Sequence, residues 1–162
     1  MTGMSQANAR VQQVLATSGL SVQIQSFLES TRSAGEAARV LGCAIDQIAK
    51  SIVFRRRDNG GPVLVIASGR NRVDETLVRS ALGADIEQAD PEFVCQATGF
   101  PIGGVAPIGH LQPIPVFIDS DLLVFRTVWA AAGTPRSVFA INPVDLVRIT
   151  AGRLLAITNS GG

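Results

Sequence analysis

The sequence predicts an α/β domain built on one mixed, curved sheet. Short segments of alternating apolar and polar residues, typical of half-buried strands, are interspersed with segments whose apolar residues recur at helical spacing. Some predicted strands are joined by short turns and others by helices, which favours antiparallel and parallel pairs in the same sheet. A chain of 162 residues is long enough to bury its own core, so we expect a single domain over residues 1–162.

The first part of the chain contains two predicted helices and one predicted strand. Apolar residues at helical spacing predict a helix over residues 5–18, and alternation predicts a half-buried strand over 21–27. The segment 33–42 predicts a short helix that begins at Ser33, a favourable N-cap residue, and ends at Gly42.

The next part predicts a β-hairpin. The first half of AIDQIAKSIVFRRR (44–57) is consistent with a helical turn, and KSIVFRR (50–56) within it predicts a strand. DNGG (58–61) is a strong hairpin-turn signal, and PVLVIASG (62–69) supplies the returning strand.

The remainder of the chain alternates between helices and strands. An amphipathic helix is predicted over 73–83, a short strand over 84–89, and a further helix that starts at Asp90 as N-cap with Pro91 in its first position. After a long loop the sequence predicts, in order, a strand (115–120), a short turn (121–124), a two-stranded hairpin (127–133 and 137–142), a helix (143–152) and a final strand (153–158).

Composition excludes several classes of protein. With 46% hydrophobic and 17% charged residues, the chain is not of the disordered class, and no run approaches the roughly 20 apolar residues of a membrane span. The N-terminal residues lack the basic and apolar regions of a signal peptide, so we expect a cytoplasmic protein with no membrane association. Cys43 and Cys95 have no CxxC or histidine-rich neighbours, and no metal or cofactor is expected.

Arginines are concentrated near the predicted hairpin. Arg55 and Arg57 precede its turn, and Arg70 and Arg72 follow its second strand. If the two strands pair, these guanidinium groups could share one rim that contacts phosphates. An ordinary solvated hairpin end is the alternative, because the net charge is only +1.

Lys50 is the only lysine among fourteen basic residues. It lies at the start of a predicted strand and shares its alternation with Ile48, Ile52 and Phe54. One interpretation is an amine that is desolvated among apolar neighbours or reaches into a cavity, since lysine, unlike arginine, can have a lowered pKa when buried. The other is an edge lysine whose ammonium group extends to water.

The segment ATGFPIGGVAPIGH (97–110) fits neither a helix nor a strand, and it ends in the only histidine, His110. The familiar GxSxG, Walker A, HExxH and GxGxxG motifs are missing from the sequence. Adjacent glycines, Gly103 and Gly104, allow close approach of the backbone to a ligand, and successive N–H groups can bind an anion or oxyanion. A tight structural turn packed by its own side chains is the alternative.

Three segments together resemble the YbaK/EbsC family, free-standing relatives of the editing domain inserted in bacterial prolyl-tRNA synthetase. They are TRSAGEAARVLGCAIDQIAKSIVF, VLVIASGRNRVDE and ATGFPIGGVAPIGH, and the similarity runs in order from about residue 30 to the end. The resemblance implies an α/β fold with a mixed, partly barrel-like sheet and flanking helices. It also implies hydrolysis of aminoacyl-tRNAs that carry the wrong amino acid.

The resemblance assigns site residues. The family's lysine matches Lys50, and its GxxxP loop matches GGVAP, in which Ala106 replaces a proline of many relatives. Relatives specialised for cysteinyl-tRNA carry a serine where this chain has Ala131 or a neighbour, which argues against strict cysteine specificity. Candidate substrate-binding residues are Gly103, Gly104, Val105, Ala106, Pro107, Ser51, Gly133, Thr134 and His110, and candidate tRNA-phosphate contacts are Arg55, Arg57, Arg70 and Arg72.

The function implied by the resemblance is trans-editing of mischarged tRNA, with proline tRNA carrying a small wrong amino acid as the expected substrate. The implied partners are the acceptor end of the aminoacyl-tRNA and prolyl-tRNA synthetase. For His110, a structural hydrogen bond that closes the loop is as reasonable as a catalytic role. The alternative from another class is a non-catalytic module that binds aminoacyl-tRNA or a synthetase without cleaving the ester.

Overall fold

Eight strands form one mixed sheet flanked by five helices in the computed structural model, which describes residues 5–158. Both ends of the predicted 1–162 domain therefore lie outside the described residues. The helices are α1 (Gln6–Thr17), α2 (Ala34–Leu41), α3 (Glu75–Leu82), α4 (Pro91–Thr98) and α5 (Pro143–Thr150). The strands are β1 (Ile24–Ser26), β2 (Ile48–Arg56), β3 (Pro62–Ser68), β4 (Ile86–Gln88), β5 (Val116–Asp119), β6 (Val128–Ala131), β7 (Ser137–Ile141) and β8 (Arg153–Leu155).

The predicted element types and their order are confirmed because local signals determine them. The Ser33 side chain accepts from the Glu36 N–H, and Gly42 takes the left-handed conformation that ends α2. The Asp90 side chain accepts from the Phe93 N–H, with Pro91 in the first position of α4. Short 3₁₀ segments occupy the two predicted turns, Ile45–Gln47 and Ser120–Val124.

Several predicted elements are wider than the observed ones, and three of them illustrate the reasons. The strand predicted over 21–27 is only Ile24–Ser26, and the one predicted over 153–158 is only Arg153–Leu155. Both are the terminal strands of the sheet order, so each has a partner on one side only. The helix predicted from residue 73 begins two residues later, because the side chain of Asp74 accepts from the Thr76 N–H as its N-cap.

The sheet has the order β1-β7-β6-β2-β3-β5-β8, and β4 pairs with β2 outside this path. β2 and β3 are antiparallel, as the hairpin signal predicts, with Ala49 opposite Ser68 and Arg55 opposite Pro62. β6 runs parallel to β2, and β5 runs parallel to both β3 and β8. The predicted mixed sheet is therefore confirmed.

Apolar side chains cover both faces of the central strands. Along β3, Leu64 and Ile66 belong to one buried cluster, while Val63, Val65 and Ala67 belong to another on the opposite face. This two-sided burial explains why β3 is apolar throughout instead of alternating. None of the helices within residues 5–158 is long and apolar enough to cross a membrane.

Candidate functional site

The candidate site lies along one edge of β2, between the two strands that pair with that edge. β6 pairs with the start of this edge at Ile48 and Ala49, and β4 pairs with its end from Phe54 to Arg56. Between them, residues 50–53 have no paired strand on this side among residues 5–158, although β3 pairs with them on the other side. A pocket occupies this break, and the side chains of Lys50 and Ser51 line it.

Lys50 is held at the pocket by a single polar contact. Its Nζ donates to the carbonyl oxygen of Gly69 at 3.2 Å, and the side chain is half-buried. Burial lowers the pKa of Lys50 below its ordinary value, and the positive charge of Arg72 lowers it further, whereas the Asp119 carboxylate opposes both. Of the two interpretations that the sequence allows, the structure favours the partly desolvated amine beside a cavity.

Gly69 positions the lysine and was not identified from the sequence. A Cβ atom on this residue would clash with the carbonyl oxygen of Ile45, so only glycine lets the segment after β3 lie this close to the 3₁₀ turn that precedes β2. The neighbouring Ser68 N–H donates to the buried Asp119 carboxylate at 2.9 Å, which fixes the end of β3. The available signal was the glycine that ends the predicted strand, and its effect on Lys50 is visible only in three dimensions.

The glycine-rich loop forms the opposite wall of the pocket. Gly103 has a φ of +86°, and a Cβ there would lie 2.9 Å from the Cβ of Arg32. A Cβ on Gly104 would lie 2.6 Å from the carbonyl carbon of Thr134, so this glycine permits backbone-to-backbone packing. Both glycines are therefore required by geometry, one by its φ angle and both by close approach.

The side chains of Arg10 and His110 form hydrogen bonds to carbonyl groups of this loop. Arg10 donates to the carbonyl oxygens of Gly109 at 2.6 Å and Gly99 at 3.1 Å, and its guanidinium lies over the Phe100 ring at 4.4 Å. The Nε2 of His110 lies 2.8 Å from the carbonyl oxygen of Ala106, and because a carbonyl only accepts, this nitrogen carries the proton. Burial lowers the pKa of His110, and the nearby Arg10 lowers it further, so the neutral ring is favoured.

The pocket has a narrow part and a wide part. The narrow part has a volume of about 70 Å³, and its apolar wall includes Val105, Ala130 and Val138. The wide part, about 420 Å³, extends towards Ile102 and Gln88. Ser51 lines both parts, and its hydroxyl is buried and has no hydrogen-bond partner among residues 5–158.

Some of the predicted site residues line the pocket, and others do not. Lys50, Ser51, Gly103 and Val105 line the pocket, with Arg32, Ser33 and Trp129, which sequence reasoning missed. Six predicted residues do not line either part of the pocket: Gly104, Ala106, Pro107, Gly133, Thr134 and His110. Their assignment to substrate binding stays a prediction.

The four arginines proposed to contact phosphate do not share one rim, because they lie in two groups at opposite ends of the hairpin. The register of β2 and β3 places Arg55 and Arg57 at the turn of the hairpin and Arg70 and Arg72 beyond its other end. Arg57 is also paired with Asp85 and Glu87, at 3.3 and 3.4 Å. Strand pairing therefore separates the two pairs of arginines, because a residue before the turn lies opposite a residue just after it. Phosphate binding by any of the four stays a prediction.

No group of three or more His, Cys, Asp or Glu side chains in residues 5–158 is placed to hold a metal ion. The chemistry that the pocket offers comes from the Lys50 amine, the Ser51 hydroxyl and main-chain N–H groups of the glycine-rich loop. These are groups that orient a polar ligand and stabilise negative charge.

Comparisons with known proteins give one consistent family. The family model described as "Aminoacyl-tRNA editing domain" matches residues 29–149. A protein of Bacillus subtilis (strain 168), named "Uncharacterized protein YwhH", is 31% identical over 123 residues, which cover 76% of this chain and 78% of that protein. A crystal structure of a candidate trans-editing enzyme for prolyl tRNA synthetase is 39% identical, with a TM-score of 0.90, and the match covers 98% of this chain and 100% of that one.

Much longer proteins match as well. The proline–tRNA ligase of Thermosipho melanesiensis is 33% identical over 120 residues, which cover 74% of this chain but only 20% of the ligase. The similarity to this ligase therefore concerns one fifth of its length.

Proposed function

The chain belongs to the aminoacyl-tRNA editing domain family, and from this premise we propose that it is a trans-editing deacylase that removes a small wrong amino acid from tRNA, with proline tRNA as the preferred carrier. The family match confirms the resemblance that the three sequence segments indicate. The observation that carries the proposal is that Lys50 and Gly103 line one small pocket.

The size of the narrow part supports a small side chain. Its volume of about 70 Å³ is small beside the 420 Å³ of the wide part. A synthetase discriminates against a side chain that is smaller by one methylene by only about 1–3 kcal/mol, so a second site that accepts small side chains and excludes larger ones is needed for accuracy. The apolar wall at Val105 and Ala130 suits alanine better than a side chain that must form hydrogen bonds.

The roles of the two walls follow from their chemistry. The Lys50 ammonium group would stabilise the negative charge that develops on the ester carbonyl oxygen during attack by water. The Gly104 N–H already donates to the carbonyl oxygen of Pro101 at 2.9 Å, so Gly103 and Val105 are the loop residues whose N–H groups would contact the acyl group. No side-chain nucleophile is required, and the attacking water would be activated by the ribose hydroxyl of the tRNA.

Truncation of Lys50 tests the proposal. We expect Lys50→Ala to reduce deacylation of mischarged proline tRNA by about 10²–10³-fold, the loss typical of removing one oxyanion-stabilising donor. The free energy of unfolding should change by only about 1 kcal/mol, because the half-buried side chain makes one hydrogen bond among residues 5–158. Full activity in this variant would contradict the assignment.

A panel of substrates measures the specificity. One proline tRNA is charged in turn with alanine, cysteine, serine, threonine and proline, and the rate of ester loss is measured for each. We expect the fastest loss for alanine and none above background for proline. Tight binding of every charged tRNA without ester loss would instead show the non-catalytic module. Arg148→Ala, on α5 and with its guanidinium paired to Asp145 at 3.4 Å, serves as the control for Lys50→Ala.

A further inference from the structure

We infer that Arg55, at the hairpin end of β2, binds a backbone phosphate of the tRNA where its unpaired 3′ end joins the acceptor stem. The space beside this side chain has a volume of about 450 Å³, and its lining residues are Arg55, Arg56, Arg57, Asn59, Gly60 and Glu87. We call this space the Arg55 site. The inference rests on the proposed function and extends it to the RNA beyond the aminoacylated end.

Arg55 differs from the other two arginines of the site in its lack of a carboxylate partner. It is exposed and has no carboxylate within 4 Å among residues 5–158. Arg56, by contrast, donates to both carboxylate oxygens of Asp58, at 2.9 and 2.7 Å, and Arg57 is paired with two carboxylates. A guanidinium without a carboxylate partner gains most from a phosphate, because its fork of donors is not already engaged.

The guanidinium of Arg55 is held in place without losing its donors. It lies over the Phe93 ring, 5.2 Å from the ring centroid, and a Cβ added to Gly60 would lie 3.4 Å from its Nη2. Stacking engages the face of a guanidinium, whereas its N–H donors lie in the plane. Glu87 is opposite Arg55 in the strand pair, but its carboxylate is paired with Arg57 at 3.4 Å. The charge of Arg55 therefore remains available to an anion.

Arg55 lies on the same face of β2 as the wide part of the pocket. Side chains alternate along a strand, so Ser51, Val53 and Arg55 share one face, and the first two line the wide part. Val94 lines the wide part as well, and its neighbour Phe93 carries the guanidinium of Arg55. A ligand that leaves the wide part along this face therefore reaches the Arg55 site.

The separation of Lys50 and Arg55 fits the unpaired end of a tRNA. A strand rises about 3.3 Å per residue, so the Cα atoms of these two residues lie about 17 Å apart. A stacked nucleic-acid strand rises about 3.4 Å per nucleotide, so an ester at Lys50 places a phosphate about five nucleotides away at Arg55. That phosphate lies where the short unpaired 3′ end joins the acceptor stem.

The covalent connection to the ester favours RNA over a free anion. A single exposed ion pair contributes little by itself, so one guanidinium binds a free phosphate weakly. A phosphate of an RNA that is already bound at Lys50 meets Arg55 at a high effective concentration.

Removal of single phosphate charges tests the Arg55 site without requiring catalysis. Uncharged acceptor-stem hairpins that end in CCA are prepared with one neutral methylphosphonate linkage each, at successive positions from the 3′ end. Fluorescence anisotropy should show that the wild-type protein loses about fivefold in affinity when the neutral linkage is about five nucleotides from the 3′ end, the loss expected for one exposed ion pair. Arg55→Ala should bind the unmodified hairpin about fivefold more weakly and be insensitive to this modification. It should also flatten the dependence of log K on log salt by about 0.7–0.9.

Arg148→Ala is the matched control for Arg55→Ala. It removes an exposed arginine on α5 whose guanidinium is paired with Asp145, so it should keep the wild-type affinity and the fivefold effect of the neutral linkage. The melting temperatures of both variants establish that they are folded. A loss at the neutral linkage that persists in Arg55→Ala, or equal losses at every linkage, would overturn the inference.

Inorganic phosphate distinguishes an RNA site from a free-anion site. At equal ionic strength, phosphate should displace the hairpin from the wild type no better than chloride does. Selective displacement by phosphate that disappears in Arg55→Ala would overturn the inference in favour of a free-anion site.

Deacylation measured on the same wild-type preparation separates the two proposals. A wild type that hydrolyses the ester but shows no position-dependent loss of affinity retains the proposed function and loses the Arg55 site. A wild type that shows the position-dependent loss but leaves every ester intact loses the proposed function and retains the Arg55 site.

Discussion

The two walls of the proposed acyl pocket are constructed in different ways. Lys50 is carried by a strand that is paired with β3 along seven residues, from Ala49 to Arg55. The opposite wall, residues 103–105, has no regular secondary structure. Gly104 packs against the backbone of Thr134, and Arg10 and His110 hold the flanking residues Gly99, Gly109 and Ala106. One wall therefore contributes a side chain on a rigid support, and the other contributes backbone whose position depends on its neighbours.

This difference determines whether a mutation lowers activity alone or lowers activity and stability together. On the strand wall, truncation of the Lys50 side chain should remove the proposed chemistry and leave the ladder of hydrogen bonds intact. On the loop wall the chemically useful groups are main-chain atoms, so a change that moves them also disturbs packing. We therefore expect mutations of the loop wall to lower activity and stability together, in contrast to Lys50→Ala.

The largest combined effect is expected for Gly104→Ala. The added Cβ would lie 2.6 Å from the carbonyl carbon of Thr134, and since both groups are backbone, the loop must move. Overpacking of this kind costs about 1–3 kcal/mol, which corresponds to a fall in the melting temperature of several degrees for a domain of this size. Deacylation should fall as well, because Gly103 and Val105 move with it.

Gly35→Ala is the matched control for Gly104→Ala. Gly35 lies in the first turn of α2 with nothing within 4 Å of its added Cβ, so the same substitution should leave stability unchanged or raise it by up to about 1 kcal/mol. Differential scanning fluorimetry and the deacylation assay are run on both variants. If the Gly104→Ala protein is as stable and as active as Gly35→Ala, the loop accommodates the added Cβ without moving its N–H groups. The proposed difference between the strand wall and the loop wall would then be wrong.

The sequence predicts the elements of both walls but not how they meet. Ser33, Asp90 and the DNGG turn are local signals that act within a few residues, and each is where the sequence indicates. The break in the β2 edge depends on where β4 and β6 pair, and the contact of Lys50 with Gly69 joins residues 19 positions apart. Long-range register of this kind has no local sequence signal.

The separation of the arginines has a different origin. The DNGG turn fixes the register of the hairpin locally, and that register places Arg55 and Arg72 at opposite ends of the strand pair. The family resemblance supplied Lys50 and the glycine-rich loop, whereas Arg32 and Trp129 lie in the pocket through tertiary packing alone. Residues that carry chemistry were therefore easier to identify than residues that only shape the space around it.

A smaller effect is expected for Arg10→Ala, which tests the support behind the loop wall. The variant loses charge-assisted hydrogen bonds to Gly99 and Gly109 and the contact with the Phe100 ring, at a cost of about 1–2 kcal/mol. Deacylation should decrease by less than in Lys50→Ala, because Arg10 acts only through the position of the loop. Arg10→Lys is the control: it keeps the charge but not the fork of donors, so we expect it to restore only part of the stability. Wild-type stability in Arg10→Ala would show that the loop does not depend on this support.

The smallest expected effect is the pH dependence of folding stability due to His110. It also distinguishes a structural role of this histidine from a catalytic one. Its pKa is lowered in the folded protein by burial, so near pH 6 the unfolded chain binds more protons than the folded one. The stability from the neutral ring is therefore fully present above the unfolded value of about 6.5 and is lost as pH falls through the lowered folded pKa. Since His110 is the only histidine, His110→Gln should flatten the decline in melting temperature between pH 7 and pH 5, while changing stability at pH 7 by about 1 kcal/mol or less. An identical decline of the melting temperature in the variant would assign the pH dependence to carboxylates instead. Loss of deacylation at pH 7 in a stably folded His110→Gln protein would give the histidine a catalytic role that its contact with Ala106 does not indicate.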